Sequence, residues 1–334
     1  MVDDRDEGFI ERLVGDGRSL IRLMAFALIA AGGFALFQAA TGQFLPHDVD
    51  YLGMTAKQLC SAHQCRIVHF MMHDRVSFGG VMIAIAVVYL WLAEFPLRRG
   101  ESWAWYALLA SGGAGFLSFL AYLGYGYLDT WHGAATLVLL PLFAAGLVKT
   151  RPLRAVAVER ERIDLRSRHG IGRAMLLLST IGIIAAGLTI TTVGMTTVFV
   201  PQDLEFMNVT VAELRRMNPH LVPLIAHDRA GFGGALVSCG VAMFISILYA
   251  RVSRSLWQAL AIAGAAGFIT AIGVHPVIGY ISLSHLGPAV AGVLFFSAGM
   301  VLSYRRASPT VEPGLGPDVA ESVRVERART GGIT

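Results

Sequence analysis

Residues 70–80 read FMMHDRVSFGG, and residues 224–234 read LIAHDRAGFGG. Each copy sets His, Asp and Arg at the entrance to a long apolar run. Ionisable residues are expensive beside hydrocarbon, so a chain that writes this triplet twice is built on a repeated unit. The match spreads outward from there. FLPHDVDYLGMT (44–55) matches FVPQDLEFMNVT (199–210), GGAGF (112–116) matches GAAGF (264–268), and GYLDTWHG (126–133) matches GYISLSHLG (279–287). The parts follow the same order in both halves.

The apolar runs set the environment. Of 334 residues, 55% are hydrophobic and 15% charged, and the mean hydropathy is +0.60. A soluble domain carries about 25% charged residues. Crossing the hydrocarbon core takes about 20 helical residues, and eight stretches are apolar enough: roughly 20–43, 76–96, 102–124, 127–148, 174–199, 230–250, 256–278 and 284–304. The expected fold is all-α and integral to the membrane, with eight transmembrane helices arranged as two four-helix-bundle repeats. An even number of spans per repeat makes them parallel, related by an axis along the membrane normal. Residues 1–19 form an N-terminal segment, 20–148 the first repeat, 149–173 a basic linker, 174–304 the second repeat and 305–334 a disordered tail. The first span is not a secretory signal, because it is too long and lacks a small-residue cleavage site.

The net charge of +4 is distributed as topology and is not a nucleic-acid signature. Arg5, Arg12, Arg18 and Arg22, the loop PLRRGES, the linker, the loop ARVSRS and the tail from YRRAS all fall on one side of an eight-span chain. By the positive-inside rule that side is the cytoplasm. Both termini are then cytoplasmic, in what is expected to be a bacterial inner membrane. Cys60 and Cys65 lie in the first outer loop, where an oxidising compartment permits a disulfide; two free thiols or metal ligands are the alternatives. Cys239 falls inside a span as a small apolar residue.

The histidines carry the chemistry. His73 and His132 lie near the outer ends of spans 2 and 4, and His227 and His285 repeat the arrangement in spans 6 and 8. Paired imidazoles on facing helices suit haem iron or another transition metal, so His73 with His132, and His227 with His285, are the expected pairs. Interfacial histidines can instead bond headgroups or backbone. Arg75 and Arg229 can reach lipid phosphate or clasp a carboxylate such as a haem propionate. Asp74 and Asp228 are not expected to touch the rings beside them, because adjacent helical positions do not share a face; the helix dipole accounts for an acid at a helix start.

The first half is the richer in reactive groups. His47, His63, His69 and Asp129 have no counterparts of the same type in the second half, and they are the expected catalytic residues. His69 and His73, four apart, share a helical face, and with His63 or His47 they outline a second possibility, a membrane metalloenzyme using Zn, Cu or non-haem Fe. A transporter or non-catalytic membrane protein is a third; Pro141 and Pro276 within spans keep it open.

In span plan and histidine placement the chain resembles the haem A synthase family. That family has eight spans in two four-helix repeats, outer-side histidines in spans 2, 4, 6 and 8, a His-Arg motif in spans 2 and 6, and an outer-loop cysteine pair. His73, His132, His227, His285, Cys60 and Cys65 stand at the matching places. Phe70 stands where the family has a Glu three residues before its span-2 histidine, and Asp74 separates His73 from Arg75. The resemblance implies a b-type haem in one half and processing of a haem substrate in the other; the expected function is a haem oxidoreductase, with a quinone or other electron-transfer partner.

Overall fold

The computed structural model describes residues 14–63, 65–119, 127, 130–160, 162–251 and 253–304, the side chains of Ala62 and His63 excepted. The described residues are helical with no strand. Twelve helices are used below: α1 (Arg18–Thr41), α2 (Pro46–Leu52), α3 (Ala56–His63), α4 (Arg66–Glu94), α5 (Ser102–Ser118), α6 (Thr130–Thr150), α7 (Arg168–Met195), α8 (Pro201–Met207), α9 (Val211–Met217), α10 (Leu221–Tyr249), α11 (Arg254–Ile278) and α12 (Leu283–Ser303). Seven of them, α1, α4, α6, α7, α10, α11 and α12, are long and apolar enough to cross a membrane, as in an integral membrane protein. The remaining span-sized candidate, α5, has 17 described helical residues.

α4 and α10 form the centre. In each, 67% of the most apolar stretch is buried, against 17–22% in the other five long helices. Those five turn large apolar side chains outward, among them Phe26, Phe37, Leu137, Leu188, Ile269 and Leu294. That is the surface expected where the solvent is lipid and backbone polar groups are satisfied within each helix.

The FGG that follows each His-Asp-Arg explains the packing of the central pair. α4 packs on α1 of its own half and on α11 of the other, and α10 packs on α7 and on α5. A Cβ on Gly79 would come within 2.9 Å of the Gly32 carbonyl oxygen in α1, and one on Gly80 would overlap the Thr270 side chain in α11. The second half repeats this: Gly233 lies against Gly187 and Thr191 of α7, and Gly234 against Ser118 of α5. Small residues let helix backbones approach closely in lipid. The two adjacent glycines thus face different neighbours, one from each half of the chain.

Two short helices precede each central helix. Pro46 and Pro201 start α2 and α8, where a proline costs no intrahelical bond. Asp48 Oδ2 accepts from the Leu45 N–H at 3.3 Å, and Asp203 Oδ2 from the Val200 N–H at 2.9 Å. The chain leaves these helices through Gly53 and Asn208, both in the left-handed region (φ 64° and 55°). A disulfide joins Cys60 to Cys65 just before α4, as the loop spacing suggested.

One expectation is corrected here. The second and sixth apolar runs were placed from 76 and 230, with His-Asp-Arg at their mouths. The helices begin earlier, at Arg66 and Leu221, so each triplet lies inside its helix. The hydropathy of the triplet marks a boundary, but its charges are neutralised by partners elsewhere in the chain.

Candidate functional site

The two His-Asp-Arg copies meet. Arg75 Nε donates to Asp228 Oδ2 at 3.0 Å, and its Nη1 lies 2.8 Å from Asp48 Oδ2. Arg229 mirrors it, with Nε 3.3 Å from Asp74 Oδ2 and Nη1 2.7 Å from Asp203 Oδ2. Each arginine therefore binds the aspartate of the other copy and the capping aspartate of its own half. Tyr127 Oη donates to Asp48 Oδ1 at 3.0 Å, and Tyr280 Oη to Asp203 Oδ1 at 2.8 Å. Burial and the neighbouring Asp203 carboxylate push the Tyr280 hydroxyl upward in pKa, so it stays a proton donor. Asp48, Asp74, Asp203 and Arg229 are all buried. The guanidiniums expected at lipid phosphate or haem propionates are each held by two carboxylates of the chain itself.

The histidines pair differently from the sequence-based expectation. His73 and His132 were expected to face each other within the first half, and His227 and His285 within the second. The structure instead joins histidines from opposite halves. His132 Nδ1 lies 2.8 Å from His227 Nε2, with the rings stacked at 5.0 Å between centroids. His73 lies 5.6 Å from His285 and 4.6 Å from His275, again between centroids. The cause is the packing of the central helices. α4 lies against α11, whose hairpin mate α12 carries His285; α10 lies against α5, whose successor α6 carries His132.

Asp74 also departs from expectation. Its Oδ1 lies 2.9 Å from Nδ1 of His73, although the two are adjacent in the helix. Both side chains are buried at the same level, and the carboxylate turns one oxygen to the ring and the other to Arg229. Its position is well past the first turn of α4, so the helix dipole does not explain it.

His132 belongs to the wall of a cavity of about 270 Å³ among α1, α4, α5, α6 and α10. The lining is mostly apolar, with Leu28, Phe78, Phe116 and Leu139 among its side chains, and Asp74, Arg75 and Asp228 also contribute to the wall. His73, His275 and His285 do not line it. Their ring nitrogens lie within 4.8 Å of one another, and among the described residues they form the one group spaced to hold a metal ion.

The expected catalytic residues of the first half do not gather around His73. His47 sits 3.5 Å from Asp48 and 6.4 Å, between ring centroids, from Trp131. His69 is half-buried on α4, and neither belongs to the three-histidine group. The His63 side chain and all of Asp129 fall outside the described residues. The sequence alone assigns no specific role to His275, Asp48, Asp203, Tyr127 or Tyr280. All but His275 stand at matched places in the repeat, which is the signal that could have found them.

Comparison with protein-family models, with curated proteins and with solved structures finds no match to this chain.

Proposed function

We propose that this is a haem-binding oxidoreductase of the membrane, with a b-type haem held at His132 and His227. The observation that carries this reading is an imidazole, His132, on the wall of an apolar cavity with its Nδ1 engaged by a second buried imidazole. Metal-ligating histidines commonly have their other ring nitrogen held by a partner, which fixes ring orientation. The cavity volume, about 270 Å³, lies just below the roughly 300–1,000 Å³ typical of cofactor sites, and its lining suits a flat apolar ligand. The resemblance to the haem A synthase family supports the same cofactor. Haem bound there would supply one-electron chemistry at iron.

The chain's own residues supply the rest. Phe78, Phe116 and Leu139 keep water from the cavity. The arginine–aspartate layer fixes α4 against α10 and so fixes the two imidazoles. A quinone or another carrier in the bilayer is the electron-transfer partner of this reading.

The membrane plan belongs to the same proposal. The apolar run 102–124, of which α5 is the described helix, is the eighth span, and the chain is two parallel four-span repeats. The basic loops put both termini in the cytoplasm of a bacterial inner membrane, with the histidine layer and the Cys60–Cys65 disulfide toward the outer face. Reporter fusions at the C-terminus and in the 199–220 segment test the orientation: cytoplasmic signal from the first and external signal from the second are expected. An optical spectrum of the purified protein tests the haem. A Soret band lost on His132→Ala is expected, and a protein without one despite ample haem supply contradicts the reading.

A further inference from the structure

We propose that His73, His275 and His285 form a binding site for one divalent transition-metal ion, zinc in the first instance, separate from the cavity of His132. The ring nitrogens lie within 4.8 Å of one another. Zinc–imidazole bonds of about 2.0–2.1 Å place tetrahedral ligand atoms about 3.3 Å apart, so closing on an ion takes ring shifts of less than about 1 Å. Three imidazoles and one open position are a familiar catalytic zinc set. No thiolate competes in type: Cys60 and Cys65 are joined, and Cys239 lies on α10 with its sulfur 3.7 Å from Met243.

His275 is buried with an unmet need. His275 is 3% exposed, and neither ring nitrogen has a hydrogen-bond partner; its approaches to the carbonyls of Ala271 and Ile272 fall short of hydrogen-bond geometry. A buried polar group left in this state is destabilising. An ion ligated by one nitrogen removes part of that cost.

The rings are supported from behind. Asp74 Oδ1 holds His73 Nδ1 at 2.9 Å, which leaves Nε2 as the ligating atom, and a carboxylate behind a ligating histidine is the usual outer-shell arrangement. Asp203 Oδ1 lies 4.0 Å from Nδ1 of His285. Both carboxylates are tied by Arg229. Tyr280 stacks on His285 at 4.5 Å and donates to Asp203. Two aspartates against one arginine leave a formal negative charge beside three neutral ligands, which favours a cation.

The two crossed histidine pairs also differ. His132 and His227 occupy the matching places and contact each other directly at 2.8 Å. His275 stands near the place of Tyr122, which lies outside the described residues. The added histidine turns one of the two crossed pairs, His73 with His285, into a three-nitrogen set.

The test uses full-length protein without a histidine tag, stripped with chelator in detergent and titrated with Zn²⁺, and separately with Co²⁺ to read ligand-field absorption. Counting zinc and cobalt, and not iron, keeps haem out of the measurement. One equivalent per chain is expected, with a Zn²⁺-dependent rise in Tm. His275→Ala and, independently, His285→Ala should weaken binding at least tenfold and abolish that rise, while His132→Ala keeps both. Substoichiometric binding by the wild type, or equal binding by both site variants, would overturn the proposal. If a variant fails to fold, the other variant and the wild-type stoichiometry still decide it. The haem reading can fail with this site intact, and the reverse.

Discussion

Arg75 Nε donates to Asp228 Oδ2 at 3.0 Å across 153 positions of the chain, and Arg229 returns the contact to Asp74 at 3.3 Å. The reciprocal pairs answer why His-Asp-Arg is written twice. Each copy needs the other's aspartate, so neither half can complete its own ion pairs.

The first prediction concerns that reciprocity. Removing one partner of a buried pair leaves the other charge uncompensated, at about 3–5 kcal/mol. Arg75→Ala should destabilise the protein by that order, because Asp48 and Asp228 both lose their cation. Adding Asp228→Ala should recover part of the loss, since residues in one network are not additive. Thermal unfolding of the four proteins of this cycle in one detergent reads the coupling. Strict additivity would mean that the crossed pair does not exist.

The glycines make the second prediction. A methyl at Gly80 meets Thr270 and the Ala266 carbonyl, whereas one at Gly113 meets nothing within 4 Å. Gly80→Ala should therefore cost about 1–3 kcal/mol as overpacking between α4 and α11. Gly113→Ala should be neutral or gain up to about 1 kcal/mol from helix propensity. Equal Tm values for the two variants would contradict the close approach of α4 and α11.

The disulfide makes the third. Cys60 and Cys65 are five positions apart, so the closed loop is short and the entropic stabilisation is about 2 kcal/mol. Cys60→Ser should lower Tm modestly, and reductant should lower the wild type to the same value without affecting the variant. Quantitative alkylation of both thiols in unreduced protein from cells would show that the bond does not form.

Much of this was legible in the sequence, and the reasons are specific. Apolar runs found the long helices because burial in lipid demands an unbroken length of hydrophobic side chains. The cysteine spacing found the disulfide, and repetition found the histidines. Helix starts at Arg66 and Leu221 were missed because partnered charges look like loop charges in a hydropathy reading. The pairing of the histidines was missed for a related reason. Repetition states which residues correspond, but it does not state whether a helix packs on its own half or on the other. That choice sits in Gly80 and Gly234, whose facing partners Thr270 and Ser118 are far away in sequence. Asp48 and Asp203 stand at matched places in the repeat, but nothing in their local sequence shows that, besides capping their helices, they bind the arginines.

The fourth prediction separates the two imidazoles of the cavity site. His132 lines the cavity, and His227 contacts it from α10. His132→Ala should abolish haem retention. His227→Ala should remove a partner of that ring, shift the Soret maximum and reduce retained haem; a spectrum identical to wild type would exclude His227 from the site.

The most direct measurement is the oxidised and reduced optical spectrum of detergent-purified full-length protein, produced with ample haem and compared with His132→Ala. The account expects a Soret band and resolved reduced-state bands at one haem per chain, both absent from the variant. A wild-type spectrum with no Soret band, or one unchanged by His132→Ala, would contradict it.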